Sequence, residues 1–270
     1  MKQKLKEIKH LALDMDGTIY KGDTLFPFTV DFLAKMKKNG TGYSFLTNNS
    51  SRSRFDYLQH LENMGIPVSP DEIYTSGQAT IDYLRLNHPG WKRLFILGTP
   101  SLVREFEEEG FIPVTESPDE MPDAVIVGFD TSLTYSRLCR AAWWIDRGLT
   151  CIATNPDKVC PTGMPTVLVD CGSICACLER ATGRTPDVVI GKPDPRMLDG
   201  IMNRYSLKPG EIAIVGDRTY TDILMAKKTN ALGVLVLTGE TKKEDLQNTE
   251  INPDLVVNDL AELGKLLLAD

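Results

Sequence analysis

The stretch Ile8-Lys9-His10-Leu11-Ala12-Leu13-Asp14-Met15-Asp16-Gly17-Thr18 is a short apolar run that issues into two carboxylates, a glycine and a threonine. Leu11, Ala12 and Leu13 read as a strand buried on both faces, and Gly17 frees the backbone to turn sharply after it. Asp14 and Asp16 then stand at a strand's carboxyl end, which in an open parallel sheet is where ligands bind. Carboxylates two residues apart repel each other unless a cation lies between them, and a hard, oxygen-seeking ion such as Mg²⁺ is the natural partner. A solvated acidic turn is the plainer alternative, and the rest of the chain decides between the two.

Outward from this stretch, Phe28, Phe32, Leu33 and Met36 recur at helical spacing and predict a helix over 27–38 that stops at Asn39-Gly40. A second strand over 42–46 delivers Thr47-Asn48-Asn49-Ser50-Ser51, a polar cluster that is a cap for the helix at 52–64, a ligand site, or both. A helix over 76–87 follows. From Trp91 a second alternating unit begins, with strands at 92–97, 124–129 and 151–153 and helices at 100–109, 134–147 and 171–182. Trp143 and Trp144 diverge by about 100° on a helix, so one belongs to the core and the other to a domain face. After Gly183-Arg184-Thr185-Pro186 the first pattern resumes. A strand at 187–190 ends at Gly191-Lys192-Pro193, and one at 211–215 ends at Gly216-Asp217-Arg218. Thr221 and Asp222 open a helix, and 233–237 is one more strand. Alternating strands and helices predict an α/β protein with a parallel sheet. The middle unit interrupts that sheet, so 81–183 reads as an inserted domain and 1–80 with 184–270 as the core.

The 270 residues exceed one ordinary core and suit two domains of ~100–200 residues each. With 42% hydrophobic and 25% charged residues the composition is that of a globular protein. A formal charge of -7 argues against a polyanion-binding surface, so no nucleic acid is expected, whereas a small phosphorylated molecule held by one metal and one lysine is compatible. The apolar run before Asp14 is too short for a signal sequence or a membrane span, so a cytoplasmic location with no membrane contact is expected. No pair among the six cysteines has Cys-x-x-Cys spacing. Cys171, Cys175 and Cys177, with Cys160 upstream, read as thiols kept reduced rather than as a metal site. His10, His60 and His88 stand near no promising acid or nucleophile.

Four segments thus bring polar groups to strand ends: Asp14 with Asp16, Thr47 with Asn48, Lys192, and Asp217 with Asp222. If all belong to one parallel sheet they converge on one edge. Each has a bland alternative: Thr47 as a cap, Lys192 as a solvated lysine, Asp217 and Asp222 as turn and first-turn residues. Asp14-Met15-Asp16-Gly17-Thr18, Leu46-Thr47-Asn48-Asn49-Ser50, Gly191-Lys192-Pro193 and Gly216-Asp217-Arg218-Thr219-Tyr220-Thr221-Asp222 resemble the four motifs of the haloacid dehalogenase superfamily of aspartyl-nucleophile phosphatases. The Thr-Asn-Asn-Ser form, with Ala153-Thr154-Asn155-Pro156-Asp157 and the insert's position, is similar to its NagD-like, 4-nitrophenyl phosphatase and pyridoxal phosphatase branch. The resemblance implies a Rossmann-like parallel-sheet core with an inserted α/β cap domain. It also implies Asp14 as nucleophile, Asp16 as general acid/base, Thr47 and Asn48 on the phosphoryl group, and Lys192 bridging nucleophile and phosphate. Mg²⁺ would be held by Asp14, the main-chain carbonyl of Asp16 and Asp217, with Asp222 close behind.

These roles make chemical sense. An ionised aspartate attacks without a base, and the charges of Mg²⁺ and Lys192 offset its repulsion from a phosphate dianion. Asp16 protonates the leaving alcohol and then deprotonates the water that opens the aspartyl phosphate, while Gly17 lets the main chain approach the phosphate. A halide-releasing hydrolase has no use for Asp16 or a metal, and a receiver domain is half this length; a phosphate-sensing or phosphoryl-accepting protein without turnover is the alternative function. The expected partner is a small phosphorylated metabolite, with sugar phosphates or nucleotides ahead of phosphoglycolate and pyridoxal phosphate. Residues 161–177 depart from the family's Gly-rich segment and leave the substrate open. The oligomeric state is left open, with a homodimer paired through the cap as the arrangement the resemblance suggests.

Overall fold

The apolar run before Asp14 forms the strand His10–Asp14, with Leu11, Ala12 and Leu13 fully buried. In the computed structural model, which describes residues 1–247 and 249–269, this strand lies inside a six-stranded sheet. The sheet order is Ile73–Thr75, Gly42–Thr47, His10–Asp14, Ile212–Gly216, Leu232–Val236 and Leu255–Val257. Counted along the chain within this sheet, that is 3-2-1-4-5-6, the doubly wound arrangement whose ligand crevice opens where the order reverses. The reversal falls between His10–Asp14 and Ile212–Gly216. Leu13 is in parallel register with Phe45 on one side and Val215 on the other. Parallel strands covered on both faces must be apolar throughout, as Ile212, Ile214, Val215, Val234, Leu235 and Val236 are.

The chain divides into two units. The first comprises Met1–Thr47, Leu58–Tyr74 and the chain from Lys192 onward; the second comprises Asn48–Tyr57 and Thr75–Gly191. The second unit has its own five-stranded sheet, in the order Val188–Val189, Thr150–Ala153, Ala124–Val127, Arg93–Leu97 and Ile112–Pro113. Its core packs Trp144 and Ile145 of one helix and Cys171, Cys175 and Leu178 of another against Phe95, Val125 and Val127. Trp144 is core, whereas Trp143 is only partly buried and has the guanidinium groups of Arg140 and Arg147 at 4.8 and 4.1 Å from its ring centroid. Helical rotation divides the two adjacent indoles in this way. The Cys171 thiol donates to the Val127 carbonyl at 3.1 Å, and burial pushes the Cys151 thiol up to about 12. These cysteines are core residues, and among the described residues the grouped metal-capable side chains include none of them.

One strand is assigned differently by its pairing. The segment predicted at 187–190 to resume the first sheet forms Val188–Val189 and pairs with the second, Val188 opposite Ile152 and Val189 opposite Ala153. Asp187 fixes it there by accepting from the Cys151 amide at 2.8 Å, and Arg184 donates to the carbonyls of Ile145 and Leu149. A two-residue edge strand carries too little pattern to say which sheet it joins. Lys192 therefore does not stand at the end of a first-sheet strand; the chain enters the first unit at that residue. The helix Lys2–Glu7, the hairpin of Tyr20–Lys21 with Thr24–Leu25, and the closing strand Leu255–Val257 and helix Leu260–Leu267 have no counterpart in the sequence reading. No helix among the described residues is long and apolar enough to cross a membrane.

Candidate active site

Asp14 is the last residue of its strand, in register with Leu46, so Thr47 lies one step further along the neighbouring strand. On the other side Leu13 is paired with Val215, which brings Gly216 and Asp217 to the same edge. One carboxylate oxygen from each of Asp14, Asp217 and Asp222 lies within 4.8 Å of the others. The Lys192 ammonium donates to Asp222 Oδ1 at 2.7 Å and to Asp14 Oδ1. Asp222 is held in turn: its Oδ2 accepts from the Arg218 amide at 3.3 Å and the Thr221 hydroxyl at 3.2 Å. Four residues scattered between positions 14 and 222 thus form one cluster within the first unit.

The cluster carries more negative than positive charge in a place poorly reached by water. Burial pushes the Asp14 carboxyl up to about 7 against the pull of Lys192, with the charges of Asp222 and Asp217 adding to the rise. Asp217 is pushed up to about 6 by burial and by Asp222, although the Glu240 amide opposes this. Burial works to discharge Lys192, but the charges of Asp14 and Asp222 outweigh it and raise its pKa above the ordinary value. Carboxylates in that state favour an added cation. Asp217 also has one oxygen to spare, because Oδ2 accepts from the Glu240 amide at 2.6 Å while Oδ1 is buried without a hydrogen-bond partner. A buried oxygen lacking a donor, beside two further carboxylates, fits a hard divalent ion with oxygen ligands.

Gly17 lies directly against this carboxylate. Its φ is +87°, and a Cβ there would stand 2.5 Å from Asp217 Oδ2. Asp16 is exposed and is not among the three grouped carboxylates; its Oδ2 accepts from the Gly22 amide at 3.2 Å, and the Gly17 amide donates to the Tyr20 carbonyl at 2.7 Å. Both bonds anchor the hairpin around Gly22-Asp23. That two-residue glycine turn between short extended runs is a signal the sequence reading passes over.

Thr47 is buried at the end of its strand, and Asn48 begins the second unit. There the Asn48 carbonyl accepts from the Ser76 hydroxyl at 2.7 Å and the Asn155 amide group at 2.9 Å, while Asn48 Nδ2 donates to Asp157 Oδ2 at 3.1 Å. Ser76 and Asn155 are thus positioning residues for the segment after Thr47. The Ala153-Thr154-Asn155-Pro156-Asp157 stretch, which carries part of the family resemblance, is the available sign of this.

Residues 11–112 match the family model for haloacid dehalogenase-like hydrolases, and residues 189–263 match a second model for HAD-like hydrolases. The chain is 31% identical over 256 residues to ribonucleotide monophosphatase NagD of Escherichia coli K12, covering 95% of this chain and 98% of that one. It is 31% identical over 265 residues to the acid sugar phosphatase of Staphylococcus epidermidis, covering 97% and 100%. Among solved structures it is similar to a 4-nitrophenylphosphatase from Thermotoga maritima, with a TM-score of 0.92 and 42% identity, covering 97% of this chain and 98% of that one. Likeness at these levels spans both units and all four motifs, and the chain therefore belongs to the haloacid dehalogenase-like hydrolases, among their NagD-like phosphatases.

Proposed function

We propose that this phosphatase hydrolyses small phosphate monoesters, sugar phosphates or nucleotides, using Mg²⁺ and a phosphoryl group carried on Asp14. The observation behind the reading is the Lys192 ammonium set between Asp14 and Asp222 within a group of three carboxylates. Asp14, the main-chain carbonyl of Asp16 and Asp217 would hold Mg²⁺, with Asp222 behind them. When bound, the ion supplies positive charge that lets a carboxylate approach a phosphate dianion and stabilises the phosphoryl oxygens.

The protein's own groups carry the rest. Lys192 opposes the burial that favours the protonated form of Asp14, and so enlarges the share of the nucleophile that is ionised. An Asp14 oxygen bonds to phosphorus as the ester oxygen leaves with a proton from Asp16. Asp16 then takes a proton from water, whose oxygen bonds to phosphorus while the bond to Asp14 breaks and phosphate departs. The Thr47 hydroxyl and Asn48 donate hydrogen bonds to the phosphoryl oxygens. The inserted domain, read as a cap over 81–183, selects the substrate. The Escherichia coli relative is named for ribonucleotide monophosphates and the Staphylococcus epidermidis one for acid sugar phosphates, which puts these two classes first. Pairing of two copies through the cap, a cytoplasmic location and indifference to nucleic acid and membranes complete the reading.

Phosphate release from a panel of phosphorylated metabolites tests it. Release from sugar phosphates or nucleoside monophosphates should stop in EDTA and return with Mg²⁺. Undiminished release by metal-stripped protein would contradict the site as drawn.

A further inference from the structure

The loop after the strand Leu232–Val236 touches the catalytic cluster, although its residues carry no motif. Asp217 receives two main-chain bonds from it: Glu240 N–H to Oδ2 at 2.6 Å and Thr241 N–H to the Asp217 carbonyl at 3.2 Å. On the other flank the Thr238 hydroxyl donates to the Gly17 carbonyl at 2.5 Å, and a Cβ at Gly239 would collide with the Asp217 carboxylate. The loop is thus pressed against both the turn after Asp14 and the turn after Asp217.

One side chain ties it further to the turn after Asp217. Glu240 Oε2 lies 3.0 Å from Arg218 Nε, and Glu240 Oε1 accepts from the Tyr220 hydroxyl at 2.7 Å. Arg218 and Tyr220 follow Asp217 on the same turn, so the Glu240 carboxylate and the Glu240 amide grip the two ends of one short segment. The amide takes one oxygen of Asp217 and leaves Oδ1 as the oxygen without a donor. Groups that orient a ligating carboxylate from behind ordinarily control the affinity for the ion it holds.

We infer that Glu240 is a positioning residue for metal binding: its carboxylate, clamped by Arg218 and Tyr220, holds the amide that aligns Asp217 so that Oδ1 faces the cation. This rests on the reading of Asp217 as a metal ligand. The side chain of Glu240 is half exposed, so its replacement removes the clamp without opening the core.

Calorimetric titration of the metal-free protein with Mg²⁺ alone, paired with the Mg²⁺ dependence of turnover, tests the inference. Glu240→Ala should bind Mg²⁺ about tenfold more weakly than the wild type, and Tyr220→Phe, which loses one of the two ties, a few-fold more weakly. Turnover of both should rise toward the wild-type value as Mg²⁺ is raised, and their melting temperatures in EDTA should match that of the wild type. A merely structural role would lower the melting temperature in EDTA and leave the affinity unmoved. Wild-type affinity in Glu240→Ala, whatever its turnover, overturns the inference and leaves the site intact provided Asp217→Asn binds poorly. If Asp217→Asn binds Mg²⁺ as the wild type does, or the wild type binds none, the reading of the site fails and the inference with it.

Discussion

Lys192 and Asp222 form a buried ion pair, Nζ to Oδ1 at 2.7 Å, with 4% and 1% of their side chains exposed. The two partners are not equivalent, because Lys192 serves two carboxylates while Asp222 is one acid among three. Lys192→Met strands the acids without their cation and should cost ~3–5 kcal/mol in EDTA. Asp222→Asn leaves Lys192 paired with Asp14 and should cost only ~1–2 kcal/mol. Urea denaturation of both variants checks this; equal losses would mean that the cluster is not held as a unit around the lysine.

Asp14 and Asp217 make stability fall with rising pH in the absence of metal. Each carboxyl has a folded pKa above its unfolded 3.8, about 7 for Asp14 and about 6 for Asp217, so the folded state keeps protons that the unfolded chain has released. Their contribution is whole below about pH 4 and is lost as pH climbs through 6 to 7. Asp14→Asn should remain folded and flatten this limb by up to about 4 kcal/mol, since each pKa unit is worth ~1.4 kcal/mol. Mg²⁺ should stabilise the wild type increasingly over the same range, because it needs the ionised carboxylates. Thermal melts at a series of pH values, with EDTA and with Mg²⁺, measure both effects.

His10 acts in the opposite direction, at the start of the same strand. Burial pushes its pKa down from 6.5 to about 4, with Nε2 2.9 Å from the Ser44 hydroxyl and the ring 4.4 Å from that of Tyr205. The unfolded chain takes a proton that the folded state refuses, so this contribution is whole above 6.5 and is lost as pH falls toward 4. His10→Gln should shallow the acid limb of the stability profile without altering Mg²⁺ affinity. An acid limb as steep as that of the wild type would show that His10 is not its source.

Gly17→Ala forces a side chain into a left-handed conformation and into the Asp217 carboxylate. The backbone strain alone is worth ~1–3 kcal/mol. Displacement of Asp217 should weaken Mg²⁺ binding in addition, a loss visible by calorimetry. Retention of wild-type affinity would mean that the close approach at Gly17 is not needed for the site.

Asp14 and Asp16 are legible in the sequence because a strand buried on both faces must be apolar, so two acids at its exit stand out. The order 3-2-1-4-5-6 is not legible: alternation gives parallel pairing but not which strands are neighbours, and the switch point between His10–Asp14 and Ile212–Gly216 emerges only from register. Lys192 can be found from Gly191-Lys192-Pro193, yet its strand pairs with Thr150–Ala153 because two half-buried residues carry no signal of their sheet. Glu240 leaves no trace at all. It reaches Asp217 through a backbone N–H that any residue but proline supplies, so its identity matters only through Arg218 and Tyr220, three-dimensional neighbours that composition cannot reveal.

The claim that Asp14 carries the phosphoryl group is tested most directly in Asp16→Asn. With 4-nitrophenyl phosphate the leaving group departs as a stable anion and needs no proton, so the first step should proceed while hydrolysis of the intermediate lacks its base. A burst of about one 4-nitrophenolate per protein molecule, with a phosphoryl mass increment on the peptide containing Asp14, is the expected result. Steady release without a covalent adduct, or an adduct on any other residue, would contradict the account.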